Sequence, residues 1–177
     1  MYLVLLGAVL FGACNSNTKS TTTAGEDSTA ANGSADLPYK ATYSSSFKMG
    51  KQDYCKMIVQ GSWKDWENNT MDNMKSWVAD TIVAFSPDNT MIKGLDSLQA
   101  RWKRYRTEYT AVTDSLNAAV PLYSTDKNEN WVLVWATEYN TDKKGKIDTV
   151  GVMETWRINK DGKADLVYQY DRHARKK

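Results

Sequence analysis

Apolar and polar positions along this chain change period twice, and each change marks a different kind of element. In residues 54–69, "YCKMIVQGSWKDWENN", Cys55, Ile58, Val59, Ser62 and Trp66 recur at helical spacing and share one face. The pair Asn68-Asn69 ends that helix, and Thr70 is expected to cap a second, short one. Its apolar positions are Met71, Met74, Trp77 and Val78, with Asp72 in the first turn, where a carboxylate complements the helix dipole. A methionine stripe of this kind reads as core filler.

The period then drops to two. "TIVAFS", a turn at 87–89 and "TMIKG" predict a β-hairpin. Asp96 and Gln99 have the spacing of a capping box, opening a helix with Leu98, Trp102, Tyr105 and Tyr109 on one face. Arg101, Lys103, Arg104 and Arg106 fall mostly on the other and read as a solvated face. Four strands follow, "LNAAVPLYS", "NWVLVWATEYN", "DTVGVMETWRI" and "ADLVYQYD", joined by Asp-, Asn-, Lys- and Gly-rich turns. Residues 131–139 are apolar on both sides, with Trp131, Leu133 and Trp135 on one and Val132, Val134 and Ala136 on the other. Both faces of such a sheet must be covered. Helices can cover one, and a second copy of the chain is expected on the other, giving a homodimer through Met153, Thr155, Tyr168 and Tyr170.

Composition changes this picture at the N-terminus. The 177 residues suit one domain plus an appendage. The opening "MYLVLLGAVLFGAC" is too short to span a membrane, which takes roughly 20 apolar residues, but has the length of a secretory h-region. Gly12-Ala13-Cys14 resembles a bacterial lipobox, so residues 1–13 are expected to be a signal peptide and Cys14 the lipidated terminus. Residues 14–38 hold the lipidated cysteine and a Ser/Thr/Ala/Asn/Gly-rich linker, too polar to offset its ordering entropy. The domain itself then spans 39–177, tethered by lipid alone in the bacterial cell envelope and outside the cytoplasm. A net charge of +2, with both signs interspersed, argues against a nucleic-acid partner. One histidine and two cysteines exclude the common zinc sites, and no metal or cofactor is expected. Cys55 is read as a buried, unpaired thiol.

Two helices, a hairpin, a helix and a long meander, in that order, resemble the nuclear transport factor 2-like fold in its SnoaL-like branch. The resemblance covers residues 53–171. It is carried by Asp80 before the first strand, the Ser86-Pro87 turn, Gly94 ahead of the Asp96 helix, and Trp156-Arg157-Ile158 with Gly162. It implies an α+β, cystatin-like cone: three N-terminal helices packed on a curved, mainly antiparallel sheet, with a pocket inside. Isomerase-like members carry a general-base aspartate just before the hairpin proline, and that position here is Ser86. Counting back from Gly162, their oxyanion-donating acid corresponds to Glu154, while their tyrosine falls near Ser62 or Trp63. Serine cannot shuttle a proton near neutral pH without a base of its own, so the resemblance points away from the isomerase mechanism.

Glu154 alternates with Val150, Val152, Trp156 and Ile158 and so shares their apolar face. The same count turns Val167, Gln169 and Asp171 inward. The expected pocket is Trp63, Trp66, Phe85, Trp102, Glu154, Trp156, Gln169 and Asp171, suited to a small apolar or amphipathic molecule. Glu154 is either a pocket acid or, as favoured from sequence, a structural contact to an arginine or to Gln169. His173 is assigned to a solvated basic tail. The function expected is non-catalytic ligand binding or an envelope-accessory role. The alternative is an isomerase- or cyclase-type enzyme using Glu154 and Asp171.

Overall fold

A computed structural model describes residues 38–173. The signal segment, Cys14 and nearly all of the linker lie outside the described residues, as do residues 174–177. A short strand, β1 (Phe47–Met49), leads into α1 (Gln52–Ile58), which continues as a π-helical turn, Val59–Lys64, and then α2 (Asp65–Asn68). The sequence pattern suggested one regular helix here. The widened turn brings Ser62 and Trp63 inward together, both buried beside Ile58. It also lays the backbone of Gly61 against the Trp77 indole, where an added Cβ would meet the ring at 2.4 Å. Asn69, at φ 57°, ends α2 in the left-handed conformation that asparagine tolerates.

The second helix is shorter than its apolar period suggested. A 3-10 turn, Met71–Asn73, passes into α3 (Met74–Trp77), and β2 (Val78–Phe85) begins at once, so Asp80 lies inside the strand. Thr70 makes no capping bond; its hydroxyl faces Asp65 Oδ1 at 3.3 Å. The hairpin from β2 to β3 (Met91–Lys93) forms as expected, closed by the Ser86 N–H donating to the Thr90 carbonyl at 3.0 Å. The capping box does not form. Gly94, at φ 87°, occupies the cap position of α4 (Leu95–Arg106), and Gln99 instead donates to the Met71 carbonyl at 2.8 Å, tying α4 to the 3-10 turn. Tyr109 starts β4 rather than finishing α4.

The meander comprises β4 (Tyr109–Ser124), β5 (Glu129–Asp142), β6 (Ile147–Ile158) and β7 (Ala164–His173). With the other strands it forms a seven-stranded sheet in the order β1-β4-β5-β6-β7-β2-β3, antiparallel except where β2 meets β7. Two register shifts between β4 and β5, near Tyr109 and Leu116, bend these long strands around the helices.

The helices cover the concave face. There Val132, Val134, Ala136, Val150, Val152 and Trp156 meet Ile58, Met74 and Leu98 in one apolar cluster. A series of edge-on indoles runs through it: Trp77 to Trp156 at 5.5 Å, Trp156 to Trp102 at 6.2 Å, and Trp102 to Trp66 at 6.4 Å. On the convex face, Leu133, Trp135, Met153 and Tyr168 are half-buried and Tyr170 is exposed. Tyr43 covers Trp131 at one end of that face.

Candidate functional site

The cone is open at the end where the core cluster gives way to polar side chains. A cavity of about 480 Å³ lies there, between the concave sheet and the helices. The π turn and α2 contribute Ser62, Trp63 and Trp66, and α4 contributes Arg101, Trp102 and Tyr105. The sheet supplies Tyr109 from β4, Glu138 from β5, Val152 and Glu154 from β6, and Gln169, Asp171 and His173 from β7. The hairpin turn, Ser86 to Asp88, forms part of the rim.

Six of the eight residues expected in the pocket line it: Trp63, Trp66, Trp102, Glu154, Gln169 and Asp171. Two do not. Phe85 lies on the convex face, stacked on Tyr168 at 5.0 Å, because its neighbour Ala84 takes the inward position opposite Val167. Trp156 is wholly buried in the core beneath the cavity and serves it by donating a hydrogen bond to Glu154. Sequence reasoning missed Glu138, Arg101, Tyr105, Tyr109 and His173. Glu138 was discernible, since it continues the inward alternation of Val134 and Ala136. His173 is solvated as expected, but it ends β7 at the cavity rim instead of lying in a tail, 3.3 Å from Asp148. Arg101 leaves the solvated side of α4 to pair with Asp88 at 2.8 Å and to donate to the Tyr105 hydroxyl at 3.0 Å.

Glu154 is 4% exposed. Its Oε2 accepts from Trp156 Nε1 at 2.9 Å and from Ser62 Oγ at 3.2 Å. Neither an arginine nor Gln169 supplies a bond, which corrects the structural contact favoured from sequence; Gln169 sits opposite Glu154 in the ladder without bonding to it. Burial pushes the Glu154 carboxyl up to about 7, against the pull of those two donors and with a further push from Glu138. The Trp63 indole N–H lies near this carboxyl yet has no hydrogen-bond partner among the described residues, and neither has the Trp66 N–H beside Glu138.

Three more acids share the concave face. Asp114 stands directly opposite Glu138 across the β4–β5 ladder, with both oxygens buried and unpartnered. Burial, with Glu138 adding to it, raises Asp114 to about 7. Burial also raises Glu138, which accepts from Asn140 Nδ2, and raises Asp171. The cations nearby are committed elsewhere. Arg106, buried, donates to the carbonyls of Trp66, Glu67 and Tyr109 at 2.9, 3.1 and 3.1 Å, clasping α2 to the start of β4. Lys64 pairs with Glu67. This arrangement can accept hydrogen bonds, hold a proton near neutrality and stack flat groups. Among the described residues no cluster is fit to hold a metal ion, and no group accepts a hydrogen bond from the Ser86 hydroxyl.

No family model matches this chain, and no curated protein matches it. Solved structures do. A SnoaL-like protein of unknown function from Burkholderia thailandensis is 13% identical at a TM-score of 0.54, over 71% of this chain and 99% of the other. Wild-type IdmH, a candidate polyketide cyclase from Streptomyces antibioticus, is 10% identical at 0.55, over 66% and 91%. An uncharacterised protein with a cystatin-like fold from Caulobacter vibrioides is 8% identical at 0.55, over 69% and 89%. Identities this low carry architecture and not activity. The chain has the SnoaL-like, nuclear transport factor 2-like fold.

Proposed function

We propose that this chain is a small-ligand-binding domain, tethered by Cys14 to a bacterial envelope membrane and working outside the cytoplasm. One observation carries the binding role: the cone is not filled by its own side chains. It keeps a cavity of about 480 Å³ walled by Trp63, Trp66 and Trp102, within the roughly 300–1,000 Å³ range of small-molecule sites. A pure assembly module would have packed that space. Ser86, at the rim without a partner base, argues against an isomerase-type mechanism. Native mass spectrometry of protein purified from its own membrane fraction tests the reading. A bound small molecule, lost in Trp63→Ala, supports it; an empty cavity with no tryptophan fluorescence response to cell-extract metabolites contradicts it.

The anchor and the dimer are tested separately. Cys14→Ser should release the protein from the membrane fraction, and unchanged partition counts against the anchor. Association through Met153, Thr155, Tyr168 and Tyr170 should give a dimer at micromolar concentration, and a monomer by sedimentation counts against it. A second reading, an enzyme of isomerase or cyclase type using Glu154 and Asp171, draws on the Glu154 carboxyl being raised to about 7, where a general acid works near neutrality. Turnover of the captured molecule, abolished in Glu154→Gln, would establish that reading in place of the first.

A further inference from the structure

We propose that the cavity selects an organic cation, a protonated amine on a flat apolar body. The inference rests on the reading of this cavity as a ligand site. Its basis is a charge imbalance on the wall. Glu138, Glu154 and Asp171 line the cavity from three adjacent strands, and Asp114 stands behind Glu138. Asp114 is directly opposite Glu138, while Asp171 pairs with Val152, two residues from Glu154, and Glu138 pairs with Val150, four residues from it, so the acids are spread along the wall and not gathered at one point. Arg106 gives its hydrogen bonds to three neutral carbonyls and so keeps a charge that offsets part of Glu138, while Arg101 is paired with Asp88 and Lys64 with Glu67.

A buried carboxylate needs a donor or a counter-charge. Glu154 is 96% covered, yet among the described residues its Oε1 accepts no hydrogen bond, and it belongs to the cavity wall. Trp63, Trp66 and Trp102 surround the same space, and indole faces attract cations. An ammonium group would thus meet acceptors and indole rings on the same wall. A neutral alcohol leaves the carboxylate charge uncompensated. A carboxylate ligand meets like charge, with no unpaired guanidinium in the cavity lining among the described residues.

Occupancy is coupled to protons. Glu154 faces Ser62 and Trp63 from the π turn, Glu138 and Asp114 from β5 and β4, and Gln169 and Asp171 from β7. Lys64 and Arg106 lie on the helical side, and Arg101, Asp88 and His173 at the rim. Burial, with Glu138 adding to it, keeps a proton on Glu154 until about pH 7 in the empty site. A cation binds the ionised form and expels that proton. Its affinity should therefore fall about tenfold from pH 8 to pH 6, as the ionised fraction does.

Phenethylamine, phenethyl alcohol and 3-phenylpropanoate make a matched set of probes, followed by calorimetry and tryptophan fluorescence. The amine should bind at least tenfold tighter than either analogue at pH 8, with proton release visible as a heat that depends on the buffer. Glu154→Gln and Glu138→Gln should each erase most of that preference, with unchanged far-UV circular dichroism showing that the variants are folded. Equal or tighter binding of the alcohol or the carboxylate would overturn the cation inference and leave the ligand-binding reading standing. Binding of none of the three, to a folded protein, would overturn both.

Discussion

The two faces of one strand, β6, treat charge in opposite ways. On the convex face, Arg157 bonds both oxygens of Asp165 at 2.9 and 3.2 Å and approaches Glu129 at 3.6 Å. Three residues earlier and on the concave face, Glu154 has only neutral donors and acidic neighbours. The partnered charges sit where water could have solvated them, and Glu154 where it reaches least. Folding alone favours the reverse, because an uncompensated buried charge costs several kcal/mol, on the order of magnitude known for broken buried pairs. The concave face is therefore built for something other than stability, and local conflict of this kind is expected at functional sites.

The largest effect should come from removing the packing that lets the concave face exist. Trp156→Ala opens the core under Glu154 and deletes its shortest hydrogen bond, so a loss of about 3–5 kcal/mol is expected by denaturant melts. Gly61→Ala, which drives a methyl into Trp77, should also destabilise strongly. A melt unchanged by either would mean that the π turn and the indole series do not support the site.

Next is the pH dependence. Glu154 is raised from 4.5 to about 7, so between those values the folded protein binds a proton that the unfolded chain has released. Stability contributed by the neutral acid is full below pH 4.5 and is lost as pH climbs through 7. The whole effect is on the order of 3 kcal/mol. Glu154→Gln should flatten this slope and exceed the wild type in stability at pH 8, the opposite of what a structural ion pair would show. A variant less stable than wild type at pH 8 would contradict the absence of a counter-charge.

The smallest effect belongs to the convex face. Arg157→Met should cost less than about 1 kcal/mol, since its partners are part-exposed and screened. It should leave ligand affinity and its pH dependence alone, as should Phe85→Ala. A change in either property would mean that the two faces are not independent.

Strand alternation made much of this readable in advance. In β6 and β7 polar residues interrupt the apolar run, so parity is visible, and the count from Gly162 places Glu154, Gln169 and Asp171 on the cavity wall. In β2 the run Ile82 to Phe85 is apolar throughout, so nothing in it tells Ala84 from Phe85, and Phe85 was placed on the wrong face. The π turn was hidden because its cause is tertiary: Trp77 packs on Gly61 from another element. Gln99 has the spacing of a cap but a nearer acceptor in Met71. Arg101 looked solvated because its partner, Asp88, comes from the hairpin turn. Local pattern cannot report a contact made across the fold.

Among the described residues, Glu154 is a buried acid with no cation bonded to it. A titration of its side-chain carboxyl carbon by NMR, on the ligand-free protein, tests this most directly. A midpoint near 7, falling when an amine is added, is the predicted result. A midpoint in the ordinary glutamate range, about 4.3, would show that the concave face is neutralised after all and would contradict the account.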